Sequence, residues 1–215
     1  MRFKKRYVIV PLVVAGIVGV ASMVGGFVHE QVEEAEEIAE LEELARDEMV
    51  PYERLFRELA PSLDWEWETL AAVAWEESHF RPDARSTMGA KGIMQLMDHT
   101  AQRFGLNDST VWIAEDNIRA GVRYIQFLQD SWAFISNKDE QTKFVLASYN
   151  AGPGGVFAAR RVVRDSGGNS YVWSEVEPYV EPASVCHYVH KVLRTARKYK
   201  DESIRRESDS SRDQE

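Results

Sequence analysis

The 215-residue sequence has one cysteine, Cys186, which excludes an intramolecular disulfide and any metal cluster built on several thiolates. Its main body also lacks a surplus of positive charge. The formal net charge is -9, but residues 30–48 alone hold ten acidic side chains against one basic, while residues 51–200 come to about -1. A nearly neutral body has no basic stripe for a phosphate backbone, so nucleic-acid binding is set aside. Convincing runs of alternating, β-branched residues are missing as well, which removes a sheet as the main architecture. Apolar residues are plentiful at 44 %, with six tryptophans, enough to exclude global disorder. The length suits one domain plus extensions.

Arg2, Lys4, Lys5 and Arg6 precede residues 7–28, an uncharged and mostly apolar run long enough to cross a bilayer as a helix. The expectation is a cytoplasmic basic flank (1–6), a single membrane anchor (7–28) and a body outside the cytoplasmic membrane, on its periplasmic side, because positive flanks stay inside. A cleaved signal peptide is the rival, with Gly19-Val20-Ala21 as a small-residue cleavage site. Residues 29–50 are expected to be an acidic helical linker, since Val32, Ala35, Ile38, Ala39 and Leu41 recur at loose helical spacing. Residues 201–215, charged and rich in serine, are expected to be a disordered tail.

From 51 to 200 the apolar pattern is helical, so the fold class is all-α. Asp64 is a candidate N-cap for a helix starting at Trp65, and further helices are expected near 93–104, 117–130, 139–150, 155–165 and 184–199. In the helix from Trp65, Leu70, Val73 and Ala74 define a buried stripe whose next position is Glu77. A carboxyl group among apolar neighbours stays protonated nearer neutral pH and can act as a general acid; equally, it can be a structural carboxylate bonded to backbone or arginine. Glu76 lies about 100° around the helix and is expected to be solvated or on the helix surface. His187 and His190 sit three apart beside Cys186 without a third ligand at recognisable spacing, so no metal is expected. Nothing calls for a cofactor.

After Glu77 come Ser78, then Gly89-Ala90-Lys91-Gly92-Ile93-Met94-Gln95-Leu96-Met97, and much later Ala147-Ser148-Tyr149-Asn150-Ala151-Gly152-Pro153-Gly154. These three ordered segments resemble the signatures of soluble-lytic-transglycosylase-type (SLT) domains, glycoside hydrolases with a lysozyme-like fold. In detail the likeness is to the catalytic half of the membrane-bound lytic murein transglycosylase F type, over about 60–199. The resemblance implies Glu77 as catalytic acid/base. It also implies Ser86, Met94 and Gln95 as residues lining the saccharide cleft, Tyr149 and Asn150 as the segment closing the site, and Tyr188 as a C-terminal cleft tyrosine. Two positions depart from the pattern: Asp98 stands where the family has proline, and Ser184-Val185-Cys186-His187 replaces its usual Glu-Thr-Arg.

The implied substrate is the glycan strand of peptidoglycan, cleaved between N-acetylmuramic acid and N-acetylglucosamine to leave a 1,6-anhydro end; the implied partners are that strand and the membrane. Two alternatives stand beside it. One is a hydrolytic muramidase drawing its second carboxylate from Asp83, Asp98 or Asp108. The other is a non-catalytic glycan-binding protein of the envelope.

Overall fold

The computed structural model describes residue 49 and residues 51–212. The expected basic flank, the anchor at 7–28 and nearly all of the linker at 29–50 lie outside the described residues. Among the described residues no helix is long and apolar enough to cross a membrane. The described body is mostly helical, with two isolated antiparallel bridges, Arg85 to Lys91 and Lys91 to Leu96, and no sheet among the described residues.

A helix over residues 51–59 (α1) runs into a 3₁₀ turn, Ala60–Leu63, opened by Pro61. Asp64 closes that turn in the left-handed conformation, with its N–H on the carbonyls of Ala60 and Pro61. It therefore ends one element instead of capping the next. The following helix, α2, spans Trp67–Ser78 and starts two residues later than the sequence reading placed it. It buries Leu70, Val73 and Ala74 completely, as the stripe requires. His79 terminates it at φ 53°, its N–H on the Trp75 carbonyl.

The helix expected at 93–104 forms only as α3, Asp98–Arg103. Residues 91–97 cannot be helical because their backbone groups bond elsewhere. Lys91 and Leu96 exchange N–H to carbonyl bonds of 3.0 Å, Gly92 N–H reaches the Ala84 carbonyl at 2.9 Å, and Gln95 adopts a positive φ of 47°. A buried side chain from a later helix, Asn117, bonds this loop at several points. It accepts from Met94 N–H at 2.8 Å and donates to the carbonyls of Val111 (2.8 Å) and Lys91 (3.3 Å). Gly92 lets the chain pass there: a β-carbon would sit 2.3 Å from Asn117 Nδ2, at a φ of +79° that only glycine adopts freely.

Asn117 belongs to α4, Ala114–Ser131, whose inner face carries Ile118, Val122, Ile125 and Leu128 at helical spacing. The next helix, α5, Lys138–Ala151, is capped by Asn137, whose side chain accepts from Glu140 N–H at 3.0 Å. Phe144 to Tyr149 are all buried, as expected of a central helix, and α5 packs against α4, α6 and α8. Gly152, at φ 79° and ψ 151°, turns the chain into α6, Pro153–Asp165. A four-residue helix, α7 (Trp173–Val176), leads to α8, Ser184–Arg212, which lies along α2.

The sequence pattern ends this last helix near 199 and leaves 201–215 as a disordered tail, whereas the helix continues through Arg212. The continuation is held by side chains reaching back to the N-terminal helices. Ser203 Oγ donates to the buried Glu68 Oε1 at 2.9 Å, and Arg206 pairs with Glu53 at 3.6 Å. Serine and charge thus serve as contacts in a stretch whose composition suggested solvent.

Candidate active site

Glu77 occupies the last turn of α2, half-buried, on the same face as Leu70, Val73 and Ala74. Its Oε1 accepts a 2.7 Å hydrogen bond from Tyr188 Oη on α8. Burial raises the Glu77 pKa from 4.5 to about 7; the Tyr188 hydrogen bond opposes the rise and the charge of Glu76 adds to it. An acid with this pKa is present in both protonation states near neutral pH, the condition under which one group can give a proton and then take one.

Tyr188 and Tyr149 are both nearly buried, at 8 % and 9 % exposure, and burial pushes both phenols well above 10, with the nearby Glu77 carboxylate adding to the effect. They are therefore neutral hydrogen-bond donors. Tyr149 Oη donates to the Met94 carbonyl at 2.7 Å, which ties the C-terminal turn of α5 to the 91–97 loop. Ser78 Oγ, one residue past Glu77, donates to the Ile93 carbonyl at 2.7 Å and fixes the same loop to the end of α2. Three segments far apart in sequence thus converge on the end of α2.

The remaining implied cleft residues fall into distinct settings. Ser86 is half-buried and its Oγ accepts from Ala90 N–H at 3.0 Å, bracing the turn before the Gly89–Met97 segment. Gln95 is half-buried, its Nε2 donating to the carbonyls of Ala84 and Gly92, each at 3.0 Å. Asn150 is exposed at the end of α5. Met94 departs from the expectation. Its side chain is completely buried against Gly121, where an added β-carbon would lie 2.9 Å from Met94 side-chain atoms, so it fills the core and meets the site through its carbonyl only.

Glu76 is also corrected: it is half-buried against α8, accepting from Thr195 Oγ1 at 2.8 Å, with Lys191 Nζ at 4.0 Å. Of the aspartates a hydrolytic mechanism would draw on, Asp98 and Asp108 both face Lys91, at 2.7 and 3.5 Å, and the Lys91 hydrogen bond holds Asp98 below the usual carboxylate range. Asp83 is exposed. At the start of α8, Cys186 Sγ donates to the Glu177 carbonyl at 3.4 Å and His190 Nε2 lies 2.5 Å from Glu177 Oε1. Among the described residues no cluster of three or more His, Cys, Asp or Glu side chains could hold a metal ion.

Asn117 and Tyr124 went unnoticed in the sequence. Asn117 sits on the buried stripe of α4, one turn before Gly121, so a polar residue at an apolar position was the available signal. Tyr124 stands 5.2 Å from Tyr149, ring to ring, and 5.7 Å from Phe104, placing an aromatic group behind the site.

The profile of the family described as transglycosylase SLT domain matches residues 54–172, more than half of the chain and all of the site's segments except that of Tyr188. The chain belongs to this family. The chain is 40 % identical over 123 residues to the membrane-bound lytic murein transglycosylase F of Klebsiella pneumoniae, an alignment covering 57 % of this chain and 23 % of that protein. The protein of the same name from Aeromonas salmonicida is 35 % identical over 133 residues, covering 62 % and 26 %. The chain therefore spans about a quarter of the length of these relatives. Among solved structures, the 70 kDa soluble lytic transglycosylase of Escherichia coli shares the fold at a TM-score of 0.57 with 27 % identity, over 71 % of this chain and 24 % of that one. The lytic transglycosylase Slt of Pseudomonas aeruginosa, 24 % identical with a TM-score of 0.57, supports the lysozyme-like helical fold.

Proposed function

We propose that the protein is a peptidoglycan lytic transglycosylase in which Glu77 is the catalytic acid/base. The observation that carries this reading is the half-buried Glu77 carboxyl, raised to about 7 and held by Tyr188, in a chain of the SLT family. Protonated Glu77 gives its proton to the glycosidic oxygen as the C1–O bond of the N-acetylmuramic acid unit breaks, and the N-acetylglucosamine side departs as an alcohol. The resulting carboxylate then takes the proton of the same muramic unit's C6 hydroxyl as O6 bonds to C1. The product is a 1,6-anhydro ring, no water is consumed, and Glu77 ends protonated as it began.

The site's own groups have matching roles in this scheme. Tyr188 bonds to Oε1, so the transferable proton resides on Oε2. Tyr149 stands beside Glu77 with its hydroxyl committed to the Met94 carbonyl, fixing the wall of the site. Ser86, Gln95 and Asn150 are assigned to the saccharide cleft by the family likeness. Placement outside the cytoplasmic membrane, anchored by residues 7–28, is part of the same proposal, supported by the basic flank, the apolar run and the words "membrane-bound" in the relatives' names.

The test compares Glu77→Gln with Glu76→Gln in the full chain on purified sacculi. Glu77→Gln should lose strand cleavage while retaining glycan binding, and Glu76→Gln should retain most activity. Loss in Glu76→Gln alone would put the chemistry on the other carboxylate.

A further inference from the structure

A second cluster of recognition-type side chains is built from α6, the loop after it and the loop between α4 and α5, and the acid/base chemistry of Glu77 makes no use of it. Phe134, in the loop after α4, is 44 % exposed, and Tyr171, in the loop after α6, is 51 % exposed. Their rings meet edge to face at 6.2 Å. The Arg160 guanidinium from α6 lies over both, 4.5 Å from the Phe134 centroid and 4.8 Å from that of Tyr171.

The cluster is built to stay in place. Phe134 packs on Phe157 at 6.5 Å, and Phe157 is stacked at 4.0 Å on the fully buried Trp132. Tyr171 is set by Asn169, whose side-chain oxygen accepts from Tyr171 N–H at 3.2 Å. Arg160 is half-buried, and its Nε is buried with no hydrogen-bond partner. Among the described residues no carboxylate pairs with it, because acidic side chains of the flanking elements are engaged elsewhere. Asp165 takes Arg164 at 2.8 Å, Glu140 takes Lys143 at 2.6 Å and the Trp173 N–H, and Glu175 takes the Asn169 N–H at 2.6 Å.

An arginine clamped between two exposed rings, with no acid of its own, is matched to a planar carboxylate carried on a partly apolar group. Tyrosine and arginine on rigid supports are also the side chains that dominate binding energy at interfaces. We propose that Phe134, Arg160 and Tyr171 form a second, non-catalytic binding surface that takes the carboxylate-bearing stem peptides of peptidoglycan. This rests on the substrate class proposed above. It adds a grip on the peptides to the cleft's grip on the sugars, so that a strand is held at two places.

Binding is read by co-sedimentation of the full chain carrying Glu77→Gln, so that strands stay whole, with intact sacculi and with sacculi stripped of peptides by an amidase. Adding Arg160→Gln and Tyr171→Ala should weaken binding to intact sacculi about tenfold. Binding to stripped glycan should be unchanged. If the double change lowers the melting temperature, Arg160→Gln alone is judged by the same criterion. Undiminished binding to intact sacculi overturns the proposal, as does an equal loss on stripped glycan, which would make the rings a sugar platform. Loss of an envelope protein cross-linked at Tyr171, with sacculus binding intact, would reassign the surface to a protein contact. Anhydro-end formation by the otherwise unaltered chain is scored in parallel: its absence counts against the catalytic reading and leaves the binding comparison intact.

Discussion

Tyr188 Oη donates a 2.7 Å hydrogen bond to Glu77 Oε1 across a sequence separation of 111 residues. It joins the ends of α2 and α8 at the carboxyl group assigned to the chemistry. A donor to the carboxylate favours the charged form, so this bond holds the Glu77 pKa below the value that burial alone would give. Removing it moves the pKa further up.

Tyr188→Phe should therefore shift the alkaline limb of the pH–rate profile upward, because the general acid keeps its proton to higher pH. The maximum rate should fall, since the carboxylate formed on proton donation loses its partner. A rate profile between pH 5 and 9 measures both. An unshifted or downward-shifted limb would show that Tyr188 does not tune this acid.

The Glu77 carboxyl also carries a stability cost with a definite pH window. Below about 4.5 the group is protonated folded or unfolded and contributes nothing. Between 4.5 and about 7 the folded state holds a proton that the unfolded state has released, so stability declines as pH rises, and above about 7 the cost is complete. Glu77→Gln should accordingly stabilise the protein by about 1 to 3 kcal/mol at pH 8 and by little at pH 4. Urea denaturation at the two pH values gives the comparison, and an equal change at both would contradict the raised pKa.

The C-terminal stretch of α8 is part of the body. Ser203→Ala removes the hydroxyl bonded to the buried Glu68 and should cost about 1 to 3 kcal/mol. Ending the chain at residue 200 should cost at least as much, because the Arg206 contact to Glu53 goes with it. Thermal unfolding of both variants checks this, and unchanged melting temperatures would restore the reading of 201–212 as a tail.

The helical class, the stripe of Leu70, Val73 and Ala74, and Glu77 as its odd member were legible because a 3.6-residue period writes burial directly into sequence. The 91–97 loop was not legible. Its residues suit a helix locally, and what forbids one is a set of bonds to Ala84 and Asn117 that no local pattern carries. Met94 was misassigned for a related reason: a resemblance shows where a residue stands in a motif, while Gly121, which makes room for its side chain, lies 27 residues on in another helix. The α8 extension was missed because serine and charge read as solvent until the carboxylates they meet are placed opposite them. Tyr188 was named only through the family likeness, as a cleft tyrosine, and its bond to Glu77 was not legible at all, since spacing alone cannot bring residues 77 and 188 together.

Asn117→Ala tests the account of that loop. It strands the Met94 N–H and the carbonyls of Val111 and Lys91, at a cost of about 3 kcal/mol. Cleavage should fall by more than the loss of folded protein explains, because the Met94 carbonyl anchors Tyr149. Activity per folded molecule, with the folded fraction taken from circular dichroism, is the readout; an unchanged value would limit Asn117 to stability.

The central claim is that one tuned carboxyl group cleaves the strand without water. It is tested most directly by mass spectrometry of the muropeptides released when the full chain acts on intact sacculi. The account predicts muramic ends one water lighter than reducing ends, and none of them from the Glu77→Gln chain. Reducing ends from the unaltered protein would contradict it and make the enzyme a hydrolase.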